Sequence, residues 1–465
     1  MTSPAPLNIS ADQSVASADS SPASGKSSPA PGTAPVSALD APPAPAPSTA
    51  STASASALSI PRMVVPDVAR GLMLLGIAIA NIATVWLVMP GAPGGDLGGI
   101  VRDSLWDKLT ILFTAVFVHA RGFPMFATMM GFGVGMIAAS LYRRGYPLGK
   151  ARGVIARRYG MLAIFGVVHM VFLFWGDIMM MYGLMGMLLA TMIAMRTRTL
   201  LIIAGVLFVL GTLGSVGLAV FIDFTDIGRQ LMGDPTATAD AFTSSTYLGS
   251  VGFGVLALVM QVVSSPFQLP ALLPLVLFGF VMAREGLLSD TAHHRRTLVR
   301  VAVVGMGCGV VTGVLYGLSL MGVLPAWELF SSVSMSVGTL AGPGLIAVLA
   351  LVLAPVQQRV AKAAEAGKSA ALPQPLTVLA ALGKRSMTGY VLQSVLCIIF
   401  LAPYGLHLFA DAGAFVALWA GVGVWLVTLV VANVLEVFGK PGPLEAVHRR
   451  LSYGKSGLMS SWQPR

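Results

Sequence analysis

Charge is scarce in this chain. Only 10% of its 465 residues are Asp, Glu, Lys or Arg, against 55% hydrophobic, where a soluble domain carries about 25% charged residues. That shortage excludes an ordinary water-soluble globule. Cysteine is scarcer still. Cys308 and Cys397 each lie inside an apolar run, which excludes a disulfide framework and a thiolate zinc site. No two histidines have HExxH spacing and the acidic residues are dispersed, so no metal is expected. No Walker-type or Gly-x-Gly-x-x-Gly loop joins a strand to a helix. The stretch GFGVGM, residues 131–136, lies inside an apolar run, where close helix packing accounts for it.

The net charge is +10, yet the Lys and Arg residues gather at the ends of apolar runs. That is the positive-inside pattern of a membrane protein, and nucleic acid is excluded as a partner. Residues 1–58 are mixtures of Ala, Ser, Pro and Thr. They cannot bury enough apolar surface to offset their ordering entropy, so a disordered cytoplasmic tail is expected. They have no signal-peptide pattern. Residues 59–455 form the transmembrane helical domain, and 456–465 a short tail.

What is present is a series of apolar runs, each long enough to cross a bilayer at about 20 residues. The first covers residues 72–88. The second, 109–141, is interrupted by His119-Ala-Arg-Gly-Phe-Pro124. It reads as a re-entrant or interfacial helix followed by one crossing, or equally as one helix kinked at Pro124. Residues 143–158 hold six Arg or Lys and no acid, the strongest cytoplasmic marker. A helical hairpin follows, with runs at 159–175 and 178–195 around the hinge Gly176-Asp177. Further runs cover 200–221, 298–321, 333–353, 387–403 and 414–437. Segment 222–246, with Asp223, Asp226, Asp234 and Asp240, reads as external, and 356–384 as a basic linker. Between 247 and 283 two apolar runs flank SSPFQLP, and only an odd number of crossings there satisfies both sides. The sum is an all-α polytopic transmembrane bundle of about ten crossings, with both termini cytoplasmic.

Polar residues inside such runs are functional candidates, because each is costly in lipid. Asp67, Arg70 and Asn81 share one helical face of the first run; interfacial anchoring is the plainer account of the first two. His169 lies in the first helix of the hairpin, and Tyr182 follows the hinge. His169 can act as base or nucleophile near neutral pH, with Asp177 to orient it; a structural tie between helices is the rival account. His119 and Arg121 are expected near the same outer mouth. Asn81 and Gln393, deep in spans, are candidates to line a path between the two sides. His293, His294, His407 and His448 are expected to be solvated or interfacial.

Four blocks carry a resemblance to a known family. They are PDVARGLMLLGIAIANI with Asp67, Arg70 and Asn81; ARGFPMFATMMGFGVGM; the hairpin with Gly166, His169, Gly176, Asp177 and Tyr182; and LGKRSMTGYVLQS with the terminal GPLEAVHRRLSYGK. Their order resembles the YeiB-like family of bacterial polytopic membrane proteins, a domain of unknown function. The chain departs from the pattern in two places. It has Ala-Arg-Gly-Phe where the family has Gly-Lys-Phe, and Ala446 and Val447 where a Trp follows the Leu-Glu pair. That family is in turn distantly similar to membrane acyltransferases, including the lysosomal enzyme that acetylates the terminal glucosamine of heparan sulfate.

The resemblance implies a multi-pass protein of the bacterial inner (plasma) membrane. It implies transfer of an acyl group from a cytoplasmic acyl-CoA to an extracytoplasmic envelope glycan or lipid-linked acceptor. Arg70, Arg284, Lys384 and Arg385 are then candidates for the phosphates of the donor, although positive-inside anchoring also explains them. The alternative is a transporter or flippase for an envelope precursor or small metabolite, with the same polar residues lining a pathway. A structural scaffold is a third reading, and a homo-oligomer stays open.

Overall fold

The computed structural model describes residues 63–232, 244–368, 370–459 and 461–462. The expected disordered tail, residues 1–58, lies outside them. Among the described residues there are helices and no strands. Eight segments are long and apolar enough to cross a membrane, and two shorter apolar helices, Met179–Met192 and Ser386–Phe400, run between them. Together they give the ten traverses of an all-α polytopic membrane bundle.

In chain order, α1 is Val64–Asn81, α2 Leu105–Phe117, α3 Gly122–Arg143, α4 Leu148–Phe172 and α5 Met179–Met192. Next come α6, Thr197–Phe224, α7, Asp226–Met232, α8, Tyr247–Arg284, and α9, Arg295–Leu320. The last are α10, Trp327–Ser336, α11, Ala341–Glu365, α12, Gln374–Lys384, α13, Ser386–Phe400, α14, Gly413–Val437, and α15, Pro443–Tyr453.

Bonds between distant loops sort into two faces. On the basic face Val64 N–H donates to Gln357 Oε1 at 2.8 Å, Trp462 N–H to the Arg144 carbonyl at 2.8 Å, and Arg284 to the carbonyls of Ile193 and Met195. On the other face Asp223 accepts from Leu329 N–H, Asp107 from Phe415 N–H, and Tyr404 donates to Ser250. Both ends of the described chain lie on the basic face, so the number of traverses is even.

Segment 247–283 is one helix. α8 runs 38 residues through Pro266, Pro270 and Pro274, which makes a single traverse and resolves the parity. Pro266 cannot donate to the Val262 carbonyl, and the Ser265 hydroxyl does so instead, at 2.8 Å. The presumed basic linker 356–384 is also largely helical. α11 continues to Glu365, and α12 packs on α1 so closely that a Cβ on Gly383 would meet the Asp67 carbonyl.

The second run is one span broken into two helices, which matches neither a re-entrant helix followed by a full crossing nor a single helix kinked at Pro124. α2 stops at Phe117 and α3 starts at Gly122, four-residue linkage included, with Pro124 in the first turn of α3 where proline is tolerated. The segment Trp327–Glu365 is built the same way, as α10, a 3₁₀ turn Val337–Leu340 and α11. In lipid no water completes the carbonyls freed at such breaks. Arg121 does. Its buried guanidinium donates to the carbonyls of Ala115, Val116, Gly309 and Ser334, joining the C-terminal ends of α2 and α10 to α9.

Substitutions at Gly279 and Arg121, each with a control, test these contacts. A Cβ on Gly279 would lie 1.8 Å from the Thr128 carbonyl, whereas one on Gly214 meets nothing within 4 Å. Gly279→Ala should therefore destabilise by about 1–3 kcal/mol, and Gly214→Ala should be neutral, in thermal unfolding followed in detergent. Arg121→Leu leaves several buried carbonyls unpaired, at about 1–3 kcal/mol each. Its unfolding midpoint should fall further than that of Arg121→Lys, which keeps the charge but not the fork.

Candidate active site

The hairpin α4–α5 builds the site. Helix α4 ends at Phe172, and residues 173–178 turn the chain back into α5. Gly166 allows the hinge to fold onto α4, because a Cβ there would lie 2.1 Å from Met180 N and 2.6 Å from Asp177 Oδ1. This close approach sets Asp177 beside His169. The Asp177 carboxylate also accepts the Met180 N–H at 2.9 Å, so it sits on the first turn of α5, where the helix dipole favours an anion.

His169 Nδ1 lies 2.7 Å from Asp177 Oδ2, and its Nε2 lies 2.9 Å from Ser394 Oγ on α13. All three side chains are buried. With Nδ1–H donating to the carboxylate, Nε2 is left to accept the Ser394 O–H. The result is a Ser–His–Asp chain of hydrogen bonds, an arrangement in which a carboxylate can fix the tautomer and an imidazole can take a serine proton. Tyr390 packs its ring on His169 with centroids 5.0 Å apart. Beside Ser394, the Gln393 amide donates to the Leu74 carbonyl at 3.0 Å, while its buried carbonyl oxygen has no partner among the described residues.

Asp177 also forms part of the wall of a cavity of about 870 Å³, bounded by the hinge, Phe123, α5, α6, α8 and α10. Tyr182 lines the same cavity. Its hydroxyl donates to the Phe123 carbonyl at 2.7 Å, and its ring stacks on Phe126.

The other candidates lie elsewhere. His119 stacks on Tyr316 at 5.0 Å, and Arg121 is held in its ring of carbonyls, so neither joins His169. Asn81 closes α1, where the helix passes into a π turn over Ile82–Trp86. Asp67 and Arg70 approach to 3.6 Å one turn apart on α1. The remaining basic residues have protein partners. Lys384 and Arg385 both bind Glu436, and Arg284 caps the end of the α5 segment. His448 is buried rather than solvated, and its ring donates to the Arg158 carbonyl at 2.9 Å. Burial holds its pKa below the ordinary histidine value. Among the described residues no group of three or more His, Cys, Asp or Glu could hold a metal.

Ser394 was the residue that sequence reading passed over. A serine in an apolar helix is unremarkable, since it can bond its own preceding turn. Its only signal was its place as the last residue of the LGKRSMTGYVLQS block.

Residues 282–455 match the family model described as a protein of unknown function, DUF418. Two relatives extend the likeness across the membrane domain. The uncharacterized protein YeiB of Escherichia coli is 24% identical over 413 residues, covering 85% of this chain and 97% of that protein. The uncharacterized protein YxaH of Bacillus subtilis is 24% identical over 428 residues, covering 87% and 96%. The family match includes α13 with Ser394, and the two relatives span nearly their full length on it. By the match over residues 282–455 and these two relatives, the chain is similar to the YeiB-like DUF418 proteins, and its apolar helices make it a multi-pass membrane protein.

Proposed function

We propose that this chain is an acyltransferase of the bacterial plasma membrane. It takes an acyl group from a cytoplasmic acyl-CoA and delivers it to an envelope glycan or lipid acceptor on the far side. The observation that carries the reading is the Asp177–His169–Ser394 chain of hydrogen bonds. Its depth suits transfer between the two sides. Ser394 is eight residues beyond Ser386 at the basic end of α13, about 12 Å along a helix. His169 is ten residues beyond Tyr159, about 15 Å.

The chemistry follows from the geometry. His169 Nε2 takes the Ser394 proton as Oγ attacks the thioester carbonyl. The C–S bond breaks, the thiolate leaves with the proton from His169, and the acyl group rests on Ser394 as an ester. The acceptor hydroxyl or amine then gives its proton to His169 and attacks that ester, and Ser394 recovers the proton. Asp177 keeps Nδ1 protonated and stabilises the imidazolium formed in each half. Arg70 is the proposed contact for donor phosphates, since its side chain is 29% exposed on the basic side. Arg284, Lys384 and Arg385 serve first as helix-end ties.

The transporter reading draws support from the cavity beside the three-proline helix α8. It makes no use of a covalent step, and that separates the two.

Purified protein incubated with acetyl-CoA should gain one acetyl mass on Ser394, read by intact-protein and peptide mass spectrometry. Ser394→Ala should gain none, and His169→Ala should acylate about 10²- to 10⁴-fold more slowly. An unmodified wild type that also releases no thiol from any acyl-CoA would turn the assignment toward transport. Asp177→Asn is a sharper variant. Its amide oxygen can keep the Met180 bond, while its NH₂ donates to Nδ1 and forces the proton onto Nε2, which can then no longer accept from Ser394. Acylation should fall with the unfolding midpoint little changed; a wild-type rate would leave His169 a structural tie.

A further inference from the structure

The cavity beside Asp177 has a selective lining. Among the residues that bound it there is no Lys, Arg or His, and Asp177 is the one carboxylate. Such a wall offers phosphate, sulfate and carboxylate groups no cationic partner. Leu207, Phe208, Phe253, Leu256, Met260 and Leu272 supply apolar surface. A second class of group faces the same space, and it is uncharged. Gln261 Nε2 donates to Gln268 Oε1 at 2.9 Å, and Gln268 Nε2 donates to Ser264 Oγ at 2.7 Å. All three line the cavity, joined by hydroxyls from Thr212 and Ser215 on α6 and Ser332 on α10.

One wall of this space, α6, is the crossing helix least covered by protein. Only 11% of the apolar window of α6 is buried. Outside the cavity α6 exposes Ile202, Val206, Val209 and Leu213, while the outer half of α8 exposes Val263 and Phe267. These surfaces meet lipid. A chamber bounded by two lipid-facing helices, apolar with neutral hydrogen-bonding groups and no cation, matches one ligand chemistry.

We infer that the cavity is the acceptor site, and that the acceptor is an uncharged amphiphile drawn from the bilayer, with a hydrocarbon chain and a hydroxylated, phosphate-free head. This rests on the acyl-transfer reading for the word acceptor, but the binding itself does not. The chain packs against α6 and α8, the amide and hydroxyl cluster engages the head, and the head's reacting hydroxyl faces the hinge that carries Asp177. A volume of about 870 Å³ falls in the range of sites that enclose a ligand of several hundred daltons.

Native mass spectrometry of the detergent-solubilised full chain tests the inference, with monoglucosyl diacylglycerol and phosphatidylglycerol as probes. The glucolipid should bind saturably with a stoichiometry of one, and excess phosphatidylglycerol should not displace it. Gly211→Trp blocks the space: no atom lies within 4 Å of a Cβ there, and Gly211 lines the cavity. This variant should lose the bound glucolipid while staying monodisperse. Thr212→Trp, from the next position of α6, is the second blocking variant if the first does not fold. His169→Ala, which lies outside the cavity lining, should keep the lipid.

Equal binding of both lipids, retention by the blocked variants, or a dimer in place of the lipid adduct would each overturn the inference. Displacement of the glucolipid by palmitoyl-CoA would also overturn it, by making the chamber a donor-chain site. Its failure is distinguishable from failure of the acyl-transfer reading. Ser394 acylation with no lipid binding removes the acceptor site alone, and lipid binding with no acylation removes the enzyme alone.

Discussion

In a bilayer every backbone N–H and C=O must find its partner inside the protein, and the architecture of this chain follows from how it meets that requirement where its helices stop. It interrupts helices at membrane depth in several places: between α2 and α3, between α10 and α11, along the prolines of α8, and at the hinge of the hairpin. Each interruption frees polar groups, and specific side chains close several of them. Arg121 collects the carbonyls of two half-helices. The Ser265 hydroxyl covers for Pro266. Asp177 accepts the Met180 N–H in the first turn of α5.

The buried Arg121 and Asp177 are therefore products of the broken helices and are stabilised by them. Arg121 sits at C-terminal ends, where carbonyl dipoles present partial negative charge, and Asp177 sits at an N-terminal end, where partial positive charge is concentrated. Neither needs an opposite formal charge nearby to persist in the low-dielectric interior. That difference sets their roles apart. Arg121 spends its donors on neutral carbonyls and has none left for a ligand. Asp177 keeps Oδ2 for His169 after Oδ1 has taken the backbone.

Much of this was legible in the sequence, because lipid imposes a coarse rule that composition cannot hide. Crossing helices appear as apolar runs and their sides as arginine clusters. The half-helix before Gly122 was visible from its shortness, and His169 and Asp177 from their polarity in an apolar hairpin. The unread parts all involve partners remote in sequence. Ser394 lies 225 residues from His169 and is nearly neutral in hydropathy, so nothing local marks it. Glu436 is what turns Lys384 and Arg385 from an open basic patch into a closed ion-pair set. The unity of α8 was obscured because three prolines normally end a helix, yet their spacing of four puts all the missing donors along one face, where neighbouring hydroxyls can cover the loss.

The hinge joins these two levels of organisation. A six-residue turn would be a poor place to keep a precise geometry if it were free to move, since a catalytic group must be held to a fraction of an ångström. Here it is not free. Gly166 brings the turn against α4, Met180 holds one carboxylate oxygen, His169 holds the other, and α13 closes over the imidazole through Ser394 and Tyr390. The same turn forms a wall of the cavity. A molecule in that cavity meets the backbone that positions Asp177, while Ser394 lies buried on the far side of the imidazole. The hairpin thus stands between the cavity and the buried Ser394, tied to the one through Asp177 and to the other through His169.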